Sequence, residues 1–124
     1  MKTVPAWLTL LLAGCGAPFS PGDRIPFEPE TARYDSLWSA TSECSGLPAR
    51  PMSIRWYLVE GPSFDCPDGT CVGYTEHSSV PRVTLASTWE SVDWIVQHEM
   101  LHAMGVHGHP PVFATCRLRW EDHP

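Results

Sequence analysis

From Thr88 to Met104 the chain runs without Pro or Gly, and Trp89, Val92, Ile95, Val96, Met100, Leu101, Ala103 and Met104 recur at helical spacing until Gly105 ends the run. Ser87 with Glu90, or Thr88 alone, can cap the start. A helix apolar around so much of its circumference must be buried, yet this one carries His98, Glu99 and His102. Three ionisable groups on a buried helix need partners, so the rest of the chain has to wrap the helix and supply them. Four residues apart, His98 and His102 stand one above the other on the same face, with Glu99 at their flank. Two imidazoles so placed can share one metal ion about 2.0 Å away. The alternative is a core helix whose histidines are hydrogen-bonded and nothing more.

The opposite end of the chain bears on compartment. Met1 and Lys2 make a short charged start, Val4 to Leu12 an apolar run too short to span a bilayer, and Leu12-Ala13-Gly14-Cys15 closes it. This resembles a bacterial lipoprotein signal peptide, whose lipobox has the form Leu-Ala-Gly-Cys. The resemblance implies cleavage after residue 14, a lipid on Cys15, export, and anchorage to the bacterial cell envelope. Gly16 after the cysteine, where retention at the inner membrane calls for Asp, favours the outer membrane. Residues 15–30 contain Pro18, Pro21, Pro26 and Pro29 and are expected to form an extended tether, leaving 31–124 as one small domain. Beyond Cys15 the chain has no Lys, and seven Arg face fourteen acidic residues, a balance that speaks against nucleic acid as a partner.

With Cys15 given to lipid by that resemblance, four cysteines remain, an even number in an oxidising compartment. Cys66 and Cys71 flank the turn sequence Pro67-Asp68-Gly69-Thr70 and are expected to pair locally. Cys44 then pairs with Cys116, closing a long loop worth about 3 to 4 kcal/mol. Zinc ligation by cysteine is the rival, and no Cys-x-x-Cys spacing favours it.

Between tether and histidine helix the pattern is one helix and then strands. Tyr34, Leu37, Trp38, Thr41 and Cys44 fall at helical spacing over residues 31–44, and Gly46 and Pro48 stop them. Met52 to Glu60 alternates, with Ile54, Trp56 and Leu58 on one face and Arg55, Tyr57 and Val59 on the other. Cys71 to His77 and Arg82 to Ala86 read as two further strands. The expected fold is α+β: an N-terminal helix, a small three-stranded sheet, the histidine helix and a short C-terminal tail, braced by two disulfides.

A helix, a small sheet and a His-Glu-x-x-His helix ending at glycine before further histidines together resemble the zincin metalloproteases, in a minimal form. The metzincin pattern His-Glu-x-x-His-x-x-Gly-x-x-His is matched at His98, Glu99, His102 and Gly105, while its last histidine falls on Gly108. His107 and His109 flank that position. His109 is favoured as third ligand, because Gly108 lets the chain bend back and Pro110-Pro111 keep the chain beyond it extended; His107 is the alternative, or an outer partner. Metzincins carry a methionine turn and a C-terminal subdomain, whereas only fifteen residues come after His109 here and none is Met.

The resemblance implies a membrane-anchored zinc peptidase acting on a peptide or protein substrate. His98, His102 and His109 would hold Zn²⁺, and Glu99 would act as general base on a metal-activated water. In zincins the peptide lies along a sheet edge, here Cys71 to His77, with Tyr74 and His77 near the cleft. Trp38, Trp56, Trp89 and Trp94 read as core, Trp120 as a cover for the disulfide or a pocket lining, and His123 as a solvated residue and outside candidate for a ligand. The alternatives are a non-catalytic zinc-binding lipoprotein, or an interaction module that keeps the helix.

Overall fold

The structure is a computed structural model that describes residues 23–48 and 50–124. The expected signal segment 1–14 and Cys15 lie outside the described residues. The fold is α+β. Strand β1 is Ile25–Pro26, helix α1 Thr31–Ser45, and strand β2 Arg55–Val59. A hairpin of β3 (Phe64–Cys66) and β4 (Gly69–Cys71) comes next, then β5 (Gly73–Glu76) and β6 (Arg82–Ala86). Helix α2 is Asp93–Ala103 and the short helix α3 is Val112–Thr115. Among the described residues no helix is long and apolar enough to cross a membrane.

The main sheet has four strands in the order β1-β2-β6-β5, not the three expected, and the hairpin forms a separate two-stranded sheet. Strand β6 pairs parallel with β2 and antiparallel with β5, while β1 adds antiparallel to β2. Short elements account for the difference: β1 is two residues long and contains Pro26, and each hairpin strand spans three, too few for alternation to show. The expected strand from Cys71 is divided, its first residue closing the hairpin and the rest starting at Gly73. Residues 24–27, expected to be tether, lie on the domain: Arg24 is ion-paired to Glu76 at 2.6 Å and lies over the Tyr57 ring, and Phe27 packs on the core.

The core is built where the apolar faces of α1, α2 and the sheet meet. Tyr34, Trp56, Val83, Leu85, Ile95, Val96 and Met100 are buried together, and the Tyr34 and Trp56 rings meet edge to face at 4.8 Å. Such a ring pair contributes about 1 kcal/mol beyond its buried area. Arg33 ties α1 to the start of α2 through Asp93 at 2.7 Å.

Helix α2 begins at Asp93, five residues later than its apolar pattern suggests. Ser87 does not cap it: its hydroxyl accepts the Gly61 N–H at 2.9 Å, and Ser87–Trp89 form a 310 turn instead. The C-terminal segment is also more than a tail. Phe113 and Leu118 bury with Leu101 to make a second core under the end of α2. Cys44 is bonded to Cys116, which fastens this segment to α1, and Cys66 to Cys71 across the hairpin.

Candidate metal centre

Helix α2 places His98 and His102 one turn apart, and both are half-buried. His98 Nδ1 lies 2.6 Å from the carbonyl oxygen of Leu118, and His102 Nδ1 lies 2.8 Å from that of Val106. A carbonyl only accepts, so Nδ1 carries the hydrogen in each ring and Nε2 is left with its lone pair. Burial lowers both imidazoles below their usual pKa, His102 to about 4, against the opposing pull of the two carbonyls. Both rings are therefore neutral near pH 7, the state in which imidazole binds a metal.

His109 supplies the third nitrogen. Gly108 before it has φ +64°, a left-handed turn that swings the chain back over α2. Its Nε2 stands 3.2 Å from His98 Nε2. Two nitrogens each bound about 2.0 to 2.1 Å from one ion at roughly tetrahedral angles are separated by about that distance. His98, His102 and His109 each offer a ligand atom within 4.8 Å of the others, and among the described residues no fourth His, Cys, Asp or Glu joins them. The group can hold a metal ion.

The remaining histidines are placed elsewhere. His107 stacks on His77 with ring centroids 3.9 Å apart, outside the group of three. His77, whose pKa burial and His107 push down, is 6.3 Å edge-on from His102. His123 stacks on Trp94 and hydrogen-bonds through Nε2 to the Arg117 carbonyl, well occupied without a metal.

Glu99, one residue on from His98, lies on the flank of α2 that packs against β5, and it lines the same cleft as the imidazoles. It is only 5 % exposed, and the Thr75 hydroxyl donates to Oε2 at 2.7 Å. Burial raises the carboxyl to a pKa of about 7, and the Thr75 hydrogen bond opposes the rise without cancelling it. Gly73 makes the fit possible: a Cβ there would stand 2.8 Å from Glu99 Oε1. Tyr74 also lines this side, its phenol kept protonated by burial and by the carboxylates of Asp68, Glu76 and Glu99.

These groups open onto one cleft of about 500 Å³, bounded by β5 and the hairpin, by the imidazoles and Glu99, and by Trp94 and Trp120. Strand β5 is an edge of the main sheet and lines this cleft. Beneath the metal group lies Phe113, fully buried, with its ring 4.7 to 5.0 Å from all three imidazoles.

Sequence reasoning missed Gly73, Thr75, Phe113 and the Leu118 carbonyl as parts of the site. A lone glycine inside a strand pattern is a sign of close approach and could have marked Gly73. A backbone carbonyl leaves no sequence trace. Compared with known proteins, the chain matches no family model, no curated protein and no solved structure.

Proposed function

We propose that this chain is a zinc-dependent hydrolase of peptide bonds, with His98, His102 and His109 as metal ligands and Glu99 as general base. The observation that carries the reading is the pairing of three convergent imidazoles with a buried carboxyl of pKa about 7, all open to one cleft. A divalent ion held by three imidazoles supplies a water of lowered pKa and an electrophile for a carbonyl. The protein's own groups do the rest. Leu118 and Val106 hold His98 and His102 in the tautomer that presents Nε2. Glu99, lining the cleft beside the imidazoles, takes a proton from water in the cleft and returns it to the leaving nitrogen. Thr75 and Gly73 position that carboxyl. Strand β5 is the edge strand of the main sheet and lines the cleft, so an extended peptide would lie alongside it.

A non-catalytic zinc site would have His107 beside His109 completing the coordination sphere; His107 stacked on His77 favours the open arrangement instead. The anchorage through lipid on Cys15 belongs to the same proposal and is tested by mass spectrometry of the envelope-bound protein.

The test of function is Glu99→Gln. Metal content by atomic emission is expected to stay at one zinc per chain, while hydrolysis of a peptide mixture falls by roughly 10² to 10⁴-fold, the span of general-base contributions. Undiminished cleavage in that variant, or loss of zinc from the wild-type protein on mild dialysis, would overturn the proposal.

A further inference from the structure

Trp94, His98 and His102 are spaced four residues apart on α2, so their side chains form a ladder on one helix face with steps of about 6 Å. Trp94 therefore lies one turn from the metal group. Trp120, in the 310 turn Trp120–Asp122, stands edge-on to Trp94 at 5.1 Å and edge-on to Trp89 at 5.4 Å. Trp94 and Trp120 both line the cleft.

Trp120 is fixed but not covered. The guanidinium of the preceding Arg119 donates to Asp122 at 3.1 and 3.0 Å, and its backbone N–H donates to the same carboxylate. His123 lies flat on Trp94 with centroids 4.2 Å apart, which pins the end of the chain. Yet Trp120 keeps 54 % of its surface exposed. A rigid aromatic face left open to water beside a cleft is poised for an apolar group, because the ordering cost is already met. The other end of the cleft differs: beyond His102 stand the stacked rings of His77 and His107. The cleft is aromatic on one side of the metal group and polar on the other.

We infer that Trp94 and Trp120 form a side-chain subsite, so that the preferred substrate is a peptide carrying an aromatic or long aliphatic residue beside the hydrolysed bond. The inference rests on the peptidase reading and names its substrate class. An extended peptide advances about 3.3 Å per residue with side chains alternating, so a contact one helix turn from the metal group falls within two residues of the bond. The occupant is part of the same peptide because the subsite opens into the cleft that holds the three imidazoles and borders β5.

The test uses a peptide mixture varied at the two positions on either side of a fixed bond, with products identified by mass spectrometry. Binding of the same peptides to the Glu99→Gln protein is measured in parallel by calorimetry. Peptides with Phe, Trp or Leu in one of these positions are expected to have kcat/KM roughly tenfold or more above their Ala counterparts. Trp120→Ala brings that ratio close to one, and Trp120→Phe, which keeps an aromatic face and guards against misfolding, retains most of it. Cleavage indifferent to these positions, or a preference that survives Trp120→Ala, overturns the subsite. If no peptide is cleaved but Phe-containing peptides bind the Glu99→Gln protein and lose affinity on Trp120→Ala, hydrolysis falls and the subsite stands. Failure of both cleavage and selective binding overturns the subsite as well.

Discussion

The two sides of the cleft are made in different ways. One is regular: α2 against the edge strand β5, with His98, Glu99, His102, Gly73 and Thr75 held by helix period and strand register. The other is irregular: residues 106–124 carry His109, the Phe113 floor, the Leu118 carbonyl and Trp120 on turns and one short helix. The regular side draws its precision from repeating backbone hydrogen bonds. On the irregular side the backbone hydrogen bonds close local turns, from Phe113 to Pro110 through His123 to Trp120, and the segment is fastened to the rest by Phe113 and Leu118 in their small core and by the Cys44–Cys116 bond. A site can therefore be half specified by a motif and half by anchors that lie outside it.

The contrast breaks most plainly if the covalent anchor is removed. The double variant Cys44→Ala/Cys116→Ala is expected to lose about 4 kcal/mol of unfolding free energy, measured in urea, since the bond closes a loop of sequence separation 72. Zinc affinity is expected to fall with it, and an unchanged affinity would mean that the tail holds its shape unaided.

On the regular side, the cost of burying Glu99 is measurable through pH. Its folded pKa of about 7 exceeds the ordinary 4.5, so the metal-free folded state binds that proton more tightly than the unfolded chain. Stability from this group is full below pH 4.5 and drains away as pH rises through 7, by about 3 kcal/mol in all. His102 works the opposite way: with a folded pKa of about 4 against 6.5, its stability is full above 6.5 and is lost as pH falls toward 4. Glu99→Gln is accordingly expected to raise the metal-free melting temperature at pH 8 and to change it little at pH 4.5. An equal shift at both would show that the carboxyl does not titrate as its burial demands.

Two smaller effects sharpen the contrast. His109→Ala is expected to weaken zinc by more than the roughly 100-fold that loss of an outer partner costs, whereas His107→Ala changes it only a few-fold. The reverse order in a chelator competition would transfer the third nitrogen to His107. Gly73→Ala acts through the fit of the carboxyl: its new Cβ would stand 2.8 Å from Oε1 and 2.9 Å from Cγ of the buried Glu99, so the fold is expected to lose about 1 to 3 kcal/mol while cleavage slows roughly tenfold with zinc retained. Full activity in that variant would release Glu99 from the position assigned to it.

Legibility in the sequence divides along the same line. Helix α1 is readable from Tyr34, Leu37 and Thr41 down to the stop at Gly46 and β2 from alternation, whereas β6 reads only as a short run because it is buried on both faces from Val83 to Ala86. His98, Glu99 and His102 are readable because helix period alone sets their relation. His109 can be favoured over His107 from the glycine before it, but the stacking of His107 on His77, which leaves His107 outside the group, has no trace in the sequence. The start of α2 is misplaced by its apolar pattern because Ser87 spends its hydroxyl on Gly61, a partner far away in sequence. Strand β1 is invisible: with Pro26 inside it, only its pairing to Leu58 and Tyr57 makes it a strand. Phe113 reads as one apolar residue in a tail until α2 is laid above it.

The parallel pairing of β2 with β6 at the centre of the sheet has a consequence for how the chain reaches this state. Parallel neighbours cannot be joined by a tight turn, and here the hairpin and β5 lie in the connection between them. The central ladder, Arg55 facing Arg82 through Val59 facing Ala86, thus forms by an encounter between segments distant in sequence. Folding should be slow for a chain of this size, in the range set by non-local topology, and the hairpin bond, being local, can form first. The bond between Cys44 and Cys116 is the opposite case: it spans a sequence separation of 72, so its closure requires α1 and the end of the chain to have met, which ties completion of the irregular side of the cleft to long-range docking.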